Sequence, residues 1–340
     1  MKTSSKKFSF IAQVEHQNRR LDQVLAEKLP DLLRQPVSKS KIRKLIMAGA
    51  VYLNGKRVRI ASKEIFYRAK IELYVDLDRL QADATTQDQV FEMSDDRVLF
   101  EDEFLIVVNK PPGLPTQATL DQARDHLYAA VKRYLGRREK NPYLGLHHRL
   151  DRDTSGVVLL TKSTAANAGV AALFANRLAK KSYQALAWAE PKGSPQDWPK
   201  SWEVQNYLAR AASSGKKAKM VSVRSGGDIA RTEFRLLGQF GPGVWVEAQP
   251  QTGRMHQIRV HLAEGGLPIL GDCTYGGRSE ILSPGLGPSQ VPSRVPRMML
   301  HAARLTFQHP IHQNEISVES PLPEDFRGCL ELLQKGWPDS

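Results

Sequence analysis

The segment HHRLDRDTSGVVLLTKS, residues 147–163, constrains the chain more than any other. Arg149, Asp151, Arg152 and Asp153 crowd four ionised side chains into five positions, and Gly156 to Thr161 follow as an unbroken apolar and β-branched run. A run of that length and composition reads as a buried strand. Thr154, Ser155 and Gly156 supply turn chemistry ahead of it, so Asp151 sits in a turn at the edge of a core strand, where its carboxylate can be held rigidly. An aspartate in a turn is most often structural. The rest of the chain has to separate a solubilising turn from an active site.

The surrounding residues predict an α+β domain. RVLFEDEFLIVVNKPPGLP, 97–115, gives two strands broken by an acidic turn, and Pro111 and Pro112 then force the chain out of the sheet because neither can donate to a ladder. Leu127, Ala130, Val131 and Leu135 mark a helix that stops at Gly136. A second helix opens at a Ser163 or Thr164 cap, with Val170, Phe174 and Leu178 on one face. Strand-like runs recur at SYQALAWAE, KMVSVRS, ARTEFRLLGQF and GVWVEAQP. Helices do not alternate regularly with strands, which favours a large mixed or antiparallel sheet over a doubly wound one.

The chain before this domain has a different character. The polar stretch 78–96 is the best boundary, giving a small domain over 1–76, a linker over 77–96 and a large domain over 97–335. In the small domain Leu21, Val24 and Leu25 form a helical stripe that Pro30 is expected to end. Ile42, Leu45 and Ile46 form a second stripe, opening at Ser38 or Ser40 and closing at Gly49. Two β-prone arms then flank Asn54-Gly55, a pair suited to a two-residue hairpin turn. The Pro- and Gly-rich stretches 192–202 and 278–297 read as excursions from the large domain.

Charge points to a partner. The formal net charge is +13 over 340 residues, with a pI near 9.7, which favours a polyanion, nucleic acid before membrane. Between Val37 and Arg59 stand seven basic residues, Lys39, Lys41, Arg43, Lys44, Lys56, Arg57 and Arg59, and no acidic one. Seven to nothing in one small unit predicts RNA or DNA binding. Cys273 and Cys329 are too few for a disulfide framework or a thiolate metal site, and a reducing cytoplasm fits them. The N-terminus has no signal-like apolar core and no run of about 18 apolar residues occurs, so a soluble cytoplasmic protein is expected.

Two further stretches carry candidate chemistry. In QTGRMHQIRVHLAEGGLPILGDCTYGG, 251–277, a short helix ended by Gly265-Gly266 presents His256 and Arg259 three residues apart. A guanidinium there, about 4 Å from a carboxylate at an effective dielectric of about 20, would be worth on the order of 4 kcal/mol before desolvation. A structural ion pair satisfies the same pattern. In KKSYQALAW, Tyr183 opens a strand; it is either a core tyrosine or a ring for stacking with a hydroxyl for proton transfer. His147, His148, His256, His261 and His301 lie in these motifs at spacings that do not pair two imidazoles on a helical face, which predicts structural hydrogen bonding and no metal site.

RLDQVLAEKL and SKSKIRKLIMAGAVYLNGKRV resemble the two helices and hairpin of the S4-type RNA-binding domain. HHRLDRDTSG resembles the His-Arg-Leu-Asp-x-x-Thr-Ser-Gly signature of the RluA branch of RNA pseudouridine synthases. FEDEFLIVVNKPPGLPT, KKSY, TGRMHQIRVHLAEGGLPILGDCTYGG, MLHAARLTFQHP and ESPLPEDF resemble that family's remaining segments in order, the last two its C-terminal strands.

The resemblance implies isomerisation of uridine to pseudouridine in RNA, with ribosomal RNA favoured over transfer RNA, without cofactor or metal, by a monomer. It makes Asp151 the nucleophile, Arg259 its salt-bridge partner, Tyr183 the residue that packs against the base and assists proton transfer, and Arg149 the side chain that fills the place of a flipped base. Lys39, Lys41, Arg43, Lys44 and Arg57 become RNA contacts. Isomerisation requires the glycosidic bond to break while the uracil stays trapped, so an ionised carboxylate must stand near the anomeric carbon, as in retaining glycosidases. Addition to the sugar and abstraction of a sugar proton to give a glycal both satisfy that requirement. The target must leave its stack to react. The competing readings are a non-catalytic RNA-binding or ribosome-assembly protein of the same fold, and a glycosylase that releases uracil.

Overall fold

A computed structural model describes residues 5–34, 37, 39–76, 90–118, 125–189, 198–211, 219–281 and 293–336, without the side chains of 5, 39, 40, 44 and 76. Ser38, most of the expected linker and the centres of both Pro-rich excursions lie outside the described residues. The chain divides into two compact units, the main boundary falling between Val90 and Phe91. Among the described residues no helix is long and apolar enough to cross a membrane.

The first unit is built from β1 (Ser5–Ile11), α1 (Leu21–Leu33), α2 (Lys39–Ala48), β2 (Val51–Leu53), β3 (Lys56–Val58) and β4 (Lys70–Asp76). Its sheet runs β1-β4-β2-β3, all antiparallel. Asn54 and Gly55 both take positive φ, 49° and 76°, the geometry that lets a two-residue turn match the twist of its strands. Leu21, Val24, Leu25, Ile42, Ile46, Ile71 and Leu73 are fully or almost fully buried against one another. Pro30 does not end α1. The helix runs on to Leu33 and closes at Arg34 in the left-handed region, because Leu29 and Leu33 both pack on this core and their burial outweighs the hydrogen bond that proline forgoes.

The second unit contains β5 (Val98–Glu101), β6 (Leu105–Lys110), α3 (Leu127–Leu135), β7 (Gly145–Leu146), β8 (Ser155–Thr161), α4 (Asn167–Ala175) and β9 (Lys180–Trp188). It continues with β10 (Ser201–Arg210), β11 (Met220–Val223), β12 (Asp228–Phe240), β13 (Gly243–Pro250) and α5 (Gln257–Glu264). The last elements are β14 (Glu280–Ile281), β15 (Ser293–Arg294), β16 (Leu300–Gln308), β17 (Glu315–Glu319) and α6 (Glu324–Gly336). Eleven strands form one sheet in the order β11-β10-β12-β13-β9-β16-β8-β6-β5, with β17 on β16 and β7 on β8. Every pairing is antiparallel except β16 with β8, so the domain is α+β with a large mixed sheet.

β8 is buried along its whole length. Val158 and Leu160 face Leu127 and Val131 of α3, while Val157 and Leu159 face Val170 of α4 and Phe307, which is why the sequence there shows no polar alternation. At the parallel junction Gly156 pairs with Ala302 at φ 114°, and a Cβ on it would stand 2.1 Å from the Ala302 carbonyl oxygen. Only glycine fits that approach. The Asp151 turn is thereby seated where the sheet changes direction.

Three further local expectations differ from the structure. The Ser163-capped helix begins as a short 3-10 turn and ends at Ala175, so Leu178 lies beyond it and is 61% exposed; the chain needs that turn to enter β9. Residues 201 and 202, assigned to an excursion, open the long strand β10. The final segment ESPLPEDF is not a strand throughout: Glu324 begins α6, whose Phe326, Leu330 and Leu333 cover the sheet.

Candidate active site

Asp151 is held through its neighbours. The Lys110 ammonium, fully buried at the end of β6, donates to the carbonyls of Pro111 (2.9 Å), Leu114 (2.7 Å) and Arg152 (2.9 Å). Thr116 donates to the Leu150 carbonyl at 2.8 Å and its hydroxyl accepts from the Leu150 N–H at 3.1 Å. NKPPGLPT therefore binds the backbone on both sides of Asp151. Burial pushes the Lys110 ammonium down to about 7, and the carbonyls hold the proton it keeps. Arg152 and Asp153 pair with each other through two bonds of 2.8 Å, which accounts for two of the four charges in the opening segment.

The carboxylate meets α5. Arg259 Nη1 donates to Asp151 Oδ2 at 2.9 Å, across 108 residues of sequence. The same guanidinium grips Asp272 through Nε (2.7 Å) and Nη2 (2.8 Å), and its Cζ stands 5.0 Å from the Tyr275 ring centroid. Burial opposes the charge on Arg259, but the hydrogen bonds and charges of Asp272 and Asp151 outweigh it and hold the guanidinium above its usual range. A planar fork satisfied on one edge by a buried carboxylate has a fixed direction for its remaining N–H. The cation is preorganised for Asp151, whose side chain keeps 32% of its surface exposed.

His256 caps α5 in the left-handed region, with Nε2 3.7 Å from Asp151 Oδ2 and Nδ1 2.9 Å from the Tyr275 hydroxyl. Tyr183, on β9, pairs with Ala302 and Ala248 and packs against the apolar cluster that contains Leu150. Its phenol is raised above its usual range, first by burial and then by the charge of Asp151. Asp151, Tyr183 and Arg259 thus converge. Arg149, two residues before the carboxylate, is exposed.

The cations of the first unit form a separate set. Lys39 and Lys44 lie on α2, their side chains outside the described residues. Arg43 is not a free charge: its Nε donates to Asp22 at 3.2 Å, joining α2 to α1, because Asp22 faces the helix pair although it lies outside the acid-free interval. Arg57 donates to the Tyr52 hydroxyl and lies over that ring, 5.2 Å from its centroid.

Asp272, Tyr275, Lys110 and Thr116 were missed in sequence. Asp272 and Tyr275 sit in LGDCTYGG, within a stretch already singled out, and Lys110 precedes two prolines that were read only as strand breakers.

The five motif histidines are engaged with protein groups. His148 accepts from Leu159 N–H, His261 lies between Thr232 and Asn206, and His301 lies between Ser155 and Ser320. Thr161 and Asn167 flank His147. Among the described residues, Asp102, His309 and His312 are the group whose ligand atoms come close enough for a metal ion. Nδ1 of His309 accepts from the N–H groups of Ile311 (3.1 Å) and His312 (2.9 Å), which leaves its proton on Nε2, directed at Asp102 at 2.9 Å. A metal on Nε2 would require an imidazolate, so this group fits a hydrogen-bonded clasp better than a metal site.

A mixed sheet with a carboxylate and a clamped arginine at its parallel junction, plus a basic helix-helix-hairpin unit, defines an RNA-directed enzyme class. Residues 104–264 match the family described as RNA pseudouridylate synthase, and residues 19–65 match the S4 domain. The chain is 30% identical to ribosomal large subunit pseudouridine synthase C of Yersinia pestis, over 98% of each chain. It is also 30% identical to ribosomal large subunit pseudouridine synthase D of Pasteurella multocida, over 95% of this chain and 93% of that one. The solved structure titled Human RNA Pseudouridylate Synthase Domain Containing 4 is 31% identical, with a TM-score of 0.53, covering 70% of this chain and 92% of that one. The chain belongs to the RNA pseudouridylate synthase family, in its RluA branch, and carries an S4 domain. It is an isomerase that binds RNA.

Proposed function

We propose that the chain isomerises specific uridines of ribosomal RNA, with Asp151 as nucleophile. The observation that carries the assignment is the 2.9 Å bond from Arg259 to Asp151, made by a guanidinium whose other edge is fixed on Asp272. In this reading the target uridine leaves its stack, Arg149 fills the vacated place, and the Asp151 carboxylate acts at the sugar as the bond from C1′ to N1 breaks. The uracil, retained against Tyr183, turns to present C5 to C1′; the new C–C bond forms, the C5 proton is lost to solvent, and N1 takes up a proton in its place. A phenol raised by burial and by the charge of Asp151 enters the reaction protonated, so Tyr183 starts as a stacking surface and hydrogen-bond donor.

Ribosomal RNA is favoured because relatives aligned over nearly the whole chain are named for the large ribosomal subunit. The first unit serves as the docking module, with Lys39, Lys41, Arg43, Lys44 and Arg57 at the RNA. We assign it to 1–76, the linker to 77–96 and the catalytic domain to 97–335, in a cytoplasmic monomer that uses no cofactor.

The test is carbodiimide mapping of pseudouridine in total RNA from cells with and without the gene, complemented by wild type or Asp151→Asn. Specific sites are expected to vanish on deletion and return only with wild type. Their return with Asp151→Asn would sink the nucleophile assignment, and free uracil in place of pseudouridine would mark a glycosylase.

A further inference from the structure

β9 opens on a group of cations that the docking module and the catalytic trio leave unexplained. Arg177, Lys180 and Lys181 fall within five residues after α4. Among the described residues none of the three forms an ion pair; the contact made by Lys181 is a long bond from Nζ to the Thr252 carbonyl at 3.4 Å. Nζ also lies beside Gly253, where an added Cβ would be 3.6 Å away.

Side chains alternate across a strand, so Lys181 projects to the same face as Tyr183, about 7 Å along β9. The opposite face is spoken for: Ser182 donates to Glu247 at 2.6 Å and Gln184 accepts from Trp245 at 3.1 Å. Lys181 thus stands one pleat from the ring that packs against the cluster containing Leu150 and feels the charge of Asp151. Burial lowers its ammonium below the usual range, and the charge of Arg177 pushes the same way. Two like charges, one partly withdrawn from water and without a carboxylate, raise the free energy of the unliganded protein; an anion between them removes that cost.

From this geometry we infer that Arg177 and Lys181 form a phosphate-binding site for the RNA strand entering the catalytic face, seating a backbone phosphodiester of the target region while Tyr183 receives the base. This rests on the proposed action on ribosomal RNA, with the target uracil against Tyr183. The ligand class follows from the chemistry: point charge and fork suit phosphate oxygens, and such contacts position a strand without reading its sequence.

The test uses the full chain and an in vitro transcript of the organism's own large-subunit ribosomal RNA carrying [5-³H]uridine, with filter binding from 50 to 200 mM salt and tritium release for turnover. Arg177→Gln with Lys181→Gln should raise KM about tenfold, leave kcat within about twofold, and make the log–log salt slope shallower by about 1.4, two phosphate contacts at about 0.7 each. Lys181→Gln alone should melt at or above the wild-type temperature, since it removes an unpaired, desolvated charge, and Lys181→Arg should restore KM. An unchanged salt slope, a fall in kcat at constant KM, or a lowered melting temperature in Lys181→Gln would each overturn the site. If the wild type releases no tritium while the slope still depends on the two cations, the ribosomal RNA reading fails and the phosphate site stands.

Discussion

Asp272→Asn isolates how the cation beside Asp151 is held. Arg259 makes three charge-assisted bonds, two of them to Asp272, and both residues are largely withdrawn from water at 8% and 2% exposure. The amide keeps one acceptor and turns an N–H₂ toward the guanidinium, which removes one charge-assisted bond worth about 1.5–3 kcal/mol and leaves Arg259 facing one anion instead of two. Breaking a buried ion pair from one side costs about 3–5 kcal/mol. We expect a stability loss of about 3 kcal/mol in urea, equivalent to about 6–12 °C in Tm for a unit of this size. Freed from Asp272, the guanidinium can follow Asp151 out of position, so tritium release from uridine-labelled RNA should fall in kcat by about 100-fold with KM within a few-fold. In a double-mutant cycle with Asp151→Asn, the two sites should couple by at least about 1 kcal/mol. Wild-type melting together with turnover within twofold would refute the clamp.

Three other outcomes follow from the same structure. Lys110→Met leaves three carbonyls unpaired and should loosen the Asp151 loop. Because the Lys110 ammonium is lowered to about 7 when folded, the cost of burying it is full below pH 7 and is relieved as pH rises toward its unfolded value. The stability advantage of wild type over Lys110→Met should therefore grow by about 2.5 kcal/mol between pH 7 and 9 in urea titrations, and a constant gap would contradict it. Burial pushes His261 and His301 down to about 4 and His148 down to about 3, so all three stay neutral in the fold and bind protons on unfolding as pH falls through about 6.5. Unfolding free energy should drop by about 3.5 kcal/mol from pH 6 to 5, and His301→Gln should remove about a third of the drop; a flat profile would refute it. Neutralising Lys39, Lys41 and Arg43 should weaken RNA binding and flatten its salt dependence. Arg43→Gln alone should also lower stability by loosening Asp22, and an unshifted melting curve would contradict that.

Periodicity exposed whatever depends on neighbours along the chain. The double-sided burial of β8, the helices opening near Ser38, Leu127 and Ser163, and the Asn54-Gly55 turn all follow from local pattern, because burial and turn geometry act on adjacent residues. The same locality explains the misses. Pro30 signals a helix end, yet Leu33 finds a core contact that local propensity cannot anticipate; Leu178 keeps helical spacing, yet the entry into β9 leaves it in water.

The site divides along the same line. The family resemblance of HHRLDRDTSG, KKSY and TGRMHQIR nominated Asp151, Tyr183 and Arg259, whereas the residue types by themselves left each with a structural reading as well. What joins them is tertiary. Asp151 and Arg259 are 108 residues apart, and they meet because Gly156 lets β8 run parallel to β16 at close approach, bringing the turn before β8 to α5. Asp272, which directs the arginine, and Lys110, which anchors the loop, act across the fold and carry no periodic signal. A sequence names the groups a site requires; the distances that give those groups their charge state and direction exist only once the sheet has closed around them.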